Sequence, residues 1–138
     1  MGYLIDSNVL SELRKPKCVE QVAGWFRERT PSELFTSVLV LAELRRGSLL
    51  VRRRDPASAD KLDRWIADLQ IAFEDRVLVV SRAVANRWAE LMVPDPVSVI
   101  DGLLAATALV HDLTLVTRNT KDVARTGAIL FDPFQPPP

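Results

Sequence analysis

The chain has one cysteine, one histidine and no net charge: 18 lysines and arginines balance 18 aspartates and glutamates among 138 residues. A lone Cys18 excludes an internal disulfide and a thiolate metal cage, because either needs a second sulfur. A lone His111, set in a short polar turn, argues against a Ser-His-Asp hydrolase and against a histidine-based nuclease. No apolar run reaches membrane-spanning length, and the N-terminus has neither a basic segment nor a signal-type hydrophobic stretch, so a cytoplasmic protein is expected. Neutrality leaves any affinity for nucleic acid to local patches. No internal repeat and no linker long enough to separate domains can be found, and 48% apolar with 26% charged residues is ordinary for one soluble domain with a sizeable core.

What the chain does contain is a regular alternation of short apolar runs and helical patterns. It predicts strands at 3–6, 34–36, 77–80, 114–117 and 128–131. Helices are expected near 8–13 and at 17–29, 38–47, 56–72, 82–93 and 98–110, with a short one near 120–125. Strands alternating with helices imply an α/β/α sandwich around a mostly parallel sheet of four to five strands with right-handed crossovers. The proline-rich ending 133–138 cannot continue a helix or a central strand and is expected to fray, which leaves residues 1–132 as the domain.

Four acids stand where strands give way to helices. Asp6 ends the apolar run Tyr3-Leu4-Ile5 and precedes Ser7-Asn8-Val9-Leu10; it reads either as the cap of the next helix or as a carboxylate at the ligand-binding edge of an open sheet. Glu43 lies in Val38-Leu39-Val40-Leu41-Ala42-Glu43-Leu44, a turn apolar on every side, where a carboxylate is expected to be buried and therefore ion-paired to Arg14, Arg45 or Arg46, protonated or metal-bound. Asp101 is three residues beyond Ser98, the spacing of a capping box. Its helix turns tightly at His111-Asp112 into the strand Thr114-Leu115-Val116-Thr117, so helix and strand are antiparallel and Asp101 is carried back to the carboxyl edge of the sheet. Asp122 opens the short helix after Arg118-Asn119-Thr120. Capping explains each acid alone but not their convergence at one edge, where like charges raise one another's pKa or recruit a cation. Oxygen ligands without histidine or cysteine point to Mg²⁺, with Mn²⁺ as a substitute.

The segments Leu4-Ile5-Asp6-Ser7-Asn8-Val9-Leu10, Leu41-Ala42-Glu43-Leu44-Arg45-Arg46-Gly47, Ile100-Asp101-Gly102-Leu103-Leu104-Ala105-Ala106-Thr107 and Leu115-Val116-Thr117-Arg118-Asn119-Thr120-Lys121-Asp122 resemble, in order, the PIN-domain ribonucleases. The likeness is greatest to the toxin half of VapBC-type toxin–antitoxin modules. It implies a Rossmann-like sandwich, an Mg²⁺-dependent endoribonuclease that restrains translation and growth, a homodimer, and a small VapB-like antitoxin that assembles with it into a heterotetramer or larger complex. Asp6, Glu43, Asp101 and Asp122 would then be the catalytic and metal-binding acids. Thr117, Asn119 and Asn8 would support them. Gly102 departs from the usual alanine after the third acid, and Val123 from the aromatic common after the fourth.

Arg45, Arg46, Arg52, Arg53 and Arg54 put five arginines just after Glu43, and Arg14, Lys15 and Lys17 follow the Asp6 turn. With Arg118 these form a candidate phosphate track for RNA, against the alternative of a solvated basic face. Trp25, Trp65 and Trp88 fall in amphipathic helical patterns and read as core or interface residues. A dehalogenase-like phosphatase needs an aspartate two residues after the first, where Asn8 stands. A response-regulator receiver needs an aspartate at the end of a central strand, where the run 77–80 meets Ser81-Arg82. A catalytically inactive RNA-binding or scaffold PIN domain is the remaining alternative, which metal-dependent RNA cleavage distinguishes.

Overall fold

The computed structural model describes residues 2–136. The strands are β1 (Gly2–Ile5), β2 (Leu34–Ser37), β3 (Val77–Leu78), β4 (Leu113–Val116) and β5 (Leu130–Phe131). The helices are α1 (Ser7–Arg14), α2 (Glu20–Arg27), α3 (Val38–Arg52), α4 (Pro56–Phe73), α5 (Arg82–Leu91), α6 (Val99–Val110) and α7 (Thr120–Val123). The sheet has the order β3-β2-β1-β4-β5 and every pairing in it is parallel.

This order puts a topological switch between β1 and β4. The chain builds outward through β2 and β3 on one side of β1, then crosses to β4 and β5 on the other. Crossovers leave in opposite directions there, opening the crevice in which such sheets take ligands. Ile5 pairs with Val116 at the carboxyl end of the two central strands, so Asp6 and Thr117 are the next residues out.

Leu4, Ile5, Leu115 and Val116 are all buried, as continuous apolar strands must be when helices cover both faces. Val9 and Leu10 of α1, Val22 of α2, and Leu104 and Ala108 of α6 complete the same cluster. Asp112, at φ 55°, supplies the left-handed residue that turns α6 straight into β4. The antiparallel geometry expected there is thereby met.

The edge strands are shorter than expected. β3 pairs only at Thr36↔Val77 and Ser37↔Leu78, because β2 ends where α3 begins. Val79 and Val80 are left exposed without a ladder. In the opposite sense α3 runs past Gly47 to Arg52. Ser48, fully buried, fixes the next turn by donating to Asp63 Oδ1 at 2.5 Å. The segment before α2 is a turn rather than helix, held by buried Glu12, which accepts from the Val19 amide at 2.9 Å.

The C-terminal segment does not fray where expected. Pro133 is buried, Phe134 packs on the core, and Gln21 Nε2 donates to the Pro133 carbonyl at 3.1 Å. Proline excludes regular structure but not packing. Pro137 and Pro138 of the expected tail lie outside the described residues. Among the described residues no helix is long and apolar enough to cross a membrane.

Candidate active site

Asp6 caps α1 and stands at the carboxyl edge of the sheet. Its backbone is still extended and its amide donates to the Val116 carbonyl at 3.0 Å, continuing the ladder. Oδ1 accepts from the Ser7 amide at 2.7 Å, and Oδ2 accepts from the Thr117 hydroxyl at 2.8 Å. The residue is only 5% exposed. Burial pushes its carboxyl up from the usual range, the Thr117 and Ser7 bonds pull it back, and the nearby Asp101 charge raises it again.

Asp101 reaches the same cleft from α6, as the antiparallel helix and strand require. Asp6, Asp101, Thr117 and Asn119 line it over a floor of Leu104, Leu115 and Val123. The capping box foreseen for Ser98 is not made: Ser98 caps no backbone amide through its side chain and instead donates its hydroxyl to Asp101 Oδ2 at 2.7 Å. Ser98 and Asp101 are therefore paired side chain to side chain, without the backbone bonds of a capping box.

Glu43 differs from expectation in burial. The apolar turn around it is covered on one side only: Val40 is buried, Val38 is 37% exposed, and Glu43 faces outward. Among the described residues no arginine or lysine pairs with it. Its contact is Ser7 Oγ, which donates to Glu43 Oε1 at 3.3 Å. Partial desolvation first, and then the Asp6 charge, hold its carboxyl above the usual range.

Asn8 ties the two central strand ends together. Its Nδ2 donates to Thr117 Oγ1 at 3.3 Å and its Oδ1 accepts from the Arg118 amide at 3.1 Å. Thr117 Oγ1 also accepts from the Asn119 amide at 3.1 Å. Asp122 stands apart, exposed on α7 and absent from the lining of the cleft. Ser7, whose hydroxyl lies between Asp6 and Glu43, was not among the expected site residues; its position directly after Asp6 was the available signal.

The arginines divide. Arg45 pairs with Asp63 at 2.7 Å, and Arg52 bridges Asp60 and Asp63 at 2.8 Å each, so these two fasten α3 to α4. Arg118 is stacked over the Phe134 ring at 4.4 Å. Arg53 and Arg54 are exposed at the turn after α3. Arg46 instead lines a cleft of about 700 Å³ between α1, α3 and α4, together with Arg14, Ser7, Asn8, Glu43 and Trp65. Of the basic residues considered for a phosphate track, Arg46 and Arg14 are thus the two that line this cleft. Trp25 meets Tyr3 edge-on at 5.1 Å and packs with the core, as its pattern suggested.

Among the described residues no three acidic, histidine or cysteine side chains already stand close enough to grip an ion. The donor set nonetheless fits a hard divalent cation. It is all oxygen, and the Asp101 charge raises Asp6 while the Asp6 and Asp101 charges raise Glu43, a repulsion that a cation would relieve.

The family model described as PIN domain matches residues 3–128. The chain is 30% identical to Toxin FitB of Neisseria gonorrhoeae, over 95% of this chain and 97% of that protein. It is 29% identical to VapC ribonuclease Y4jK of Sinorhizobium fredii, over 96% and 98%. Its structure is similar to the crystal structure of FitAcB from Neisseria gonorrhoeae, with a TM-score of 0.87 and 28% identity across 96% of this chain and 98% of that one.

Proposed function

This chain belongs to the PIN-domain family, and on that premise we propose that it is a divalent-metal-dependent endoribonuclease, the toxin of a toxin–antitoxin module, which hydrolyses RNA phosphodiester bonds in the cytoplasm and so restrains translation and growth. The observation that carries the reading is Asp6, a buried carboxylate at the switch point of the sheet, with Asp101 near enough to raise its pKa and with its own charge raising that of Glu43. No described cation pairs with it. A carboxylate buried without a counter-ion is costly, and a site that retains one has a use for the charge.

Asp6 and Asp101 would hold Mg²⁺, Mn²⁺ serving in its place, with Glu43 and Asp122 joining directly or through water. The bound ion supplies an activated water and a charge clamp on the scissile phosphate. The protein's own part is orientation. The Ser7 amide and the Thr117 hydroxyl each fix one oxygen of Asp6, so the carboxylate keeps its aim when empty. Asn8 locks Thr117 to the next loop. Arg46 and Arg14, beside Glu43, would draw the RNA backbone toward the acids.

The toxin reading brings a small VapB-like antitoxin and a homodimer with it. An arginine or lysine of that partner laid among the carboxylates would make a charge-assisted contact that competes with the metal. The test is to express the chain with and without the open reading frame beside it and to map new RNA 5′ ends in the cell. New ends should follow induction of the chain alone, vanish in Asp6→Asn, and fall when the partner is co-expressed. Cleavage by a co-purified complex as fast as by the free chain would remove the antitoxin from the proposal, and no new ends at all would leave an RNA-binding scaffold.

A further inference from the structure

We propose that Trp88 is a positioning residue for Asp101, acting through Gly102; the inference rests on the reading of Asp101 as a metal ligand. Gly102 is buried in the first turn of α6, immediately after that acid. A Cβ placed on it would lie 3.1 Å from Trp88 Cδ1, 3.2 Å from Trp88 Nε1 and 3.2 Å from Met92 Sδ. Such separations are too short for comfort. The bare backbone at 102 is what lets the indole of α5 lie directly against the turn that carries Asp101.

Three further observations make this contact more than ordinary helix packing. Glycine inside a helix is unfavourable relative to alanine, so its presence here needs a compensating use. The Gly102 amide donates to the Ser98 carbonyl at 2.8 Å, an early backbone bond of α6, so the indole bears on the peptide that orients Asp101. The indole Nε1 is itself buried without a hydrogen-bond partner among the described residues. A phenyl ring would avoid that cost, and what tryptophan adds in its place is the volume of a second ring.

The helix start has little else to steady it. Ser98, in the cap position, makes no side-chain bond to the backbone, its hydroxyl being engaged by the Asp101 carboxylate. Lateral pressure from Trp88 and the Ser98 hydroxyl together therefore set where Asp101 points. A group that only orients a ligand still changes metal affinity strongly.

The experiment uses the full chain as Gly102→Ala, Trp88→Phe and the double variant. It measures Mn²⁺ affinity by calorimetry without RNA, and metal-free amide hydrogen exchange at positions 102 to 104. Gly102→Ala should weaken Mn²⁺ about tenfold, the lower end for removal of an orienting partner, and speed exchange. In the double variant the smaller ring makes room for the methyl group, and both quantities should return most of the way to parental. Parental exchange in Gly102→Ala, or a double variant as impaired as the single one, overturns the proposal. If the parent binds no Mn²⁺, the metal reading fails, and exchange alone decides the positioning claim by the same two outcomes.

Discussion

Thr117 donates its hydroxyl to Asp6 Oδ2 at 2.8 Å across a separation of 111 residues. The bond joins the ends of β1 and β4 at the point where the sheet reverses its order of construction. It holds down the pKa of a carboxylate that burial drives up. Removing the hydroxyl with little change of shape, as Thr117→Val, should therefore raise Asp6 further. Divalent-metal binding and RNA cleavage should shift to higher pH, while the fold loses roughly 1.5–3 kcal/mol for a hydrogen bond to a charged group, the Asn8 side chain and the Asn119 amide losing their acceptor as well. A pH profile of Mn²⁺ binding that coincides with the parent's would refute this.

Asp6 and Glu43 both hold protons more tightly folded than unfolded. With respect to these two groups, metal-free stability is greatest below the ordinary carboxylate values of 3.8 and 4.5 and falls as pH rises through the raised folded values. Asp55 and Asp63 are held low, the first by Ser58 and the second by Ser48 and the nearby arginines, so their stabilisation is lost only at more acid pH, below 3.8. The melting temperature of the metal-free chain should thus rise as pH falls from neutrality through the range of those raised folded values. Asp6→Asn with Glu43→Gln should flatten that dependence, as should saturating Mg²⁺. Thermal melts across that range decide it.

Asp101→Asn keeps an oxygen for the Ser98 hydroxyl and nearly keeps the size. With no capping box to lose, the variant should fold and melt at or above the parental temperature without metal, because repulsion with Asp6 and Glu43 is relieved. RNA cleavage should be abolished, and Asp6→Asn should behave alike. A folded Asp101→Asn protein that cuts RNA near the parental rate in Mg²⁺ would end the metal-site reading.

Asp122 should matter less than either. It is exposed and outside the cleft shared by Asp6 and Asp101, so Asp122→Asn is expected to leave measurable cleavage where Asp6→Asn leaves none. Equal loss in side-by-side assays would show that α7 closes onto the site when RNA and metal bind.

Two pairs of arginines should respond differently to neutralisation. Arg14→Gln with Arg46→Gln should weaken RNA binding and flatten its salt dependence by about 0.7 log unit for each phosphate of single-stranded RNA that is no longer neutralised. Arg45→Gln with Arg52→Gln should chiefly lower the melting temperature, because their partners are Asp60 and Asp63 on α4. Filter binding over a salt series, beside thermal melts, separates the two. A reversed pattern would restore the whole run as the phosphate track.

The sequence by itself determined the alternation of strands and helices and the placing of Asp6, Glu43 and Asp101 at their ends, because period, chain direction and a tight turn are local properties. The turn at His111-Asp112 alone was enough to return Asp101 to the sheet edge. Only the tertiary structure decided what each polar group faces. Nothing local tells that Ser98 gives its hydroxyl to a carboxylate instead of a backbone amide, that Glu43 stands exposed in an apolar turn, or that Arg45 and Arg52 are claimed by acids on another helix. Edge-strand length and the anchored Pro133-Phe134 segment were hidden for the same reason. Hydrogen bonds, ion pairs and burial are settled by whichever neighbour packing brings within a few ångströms, and that neighbour lies elsewhere in the chain.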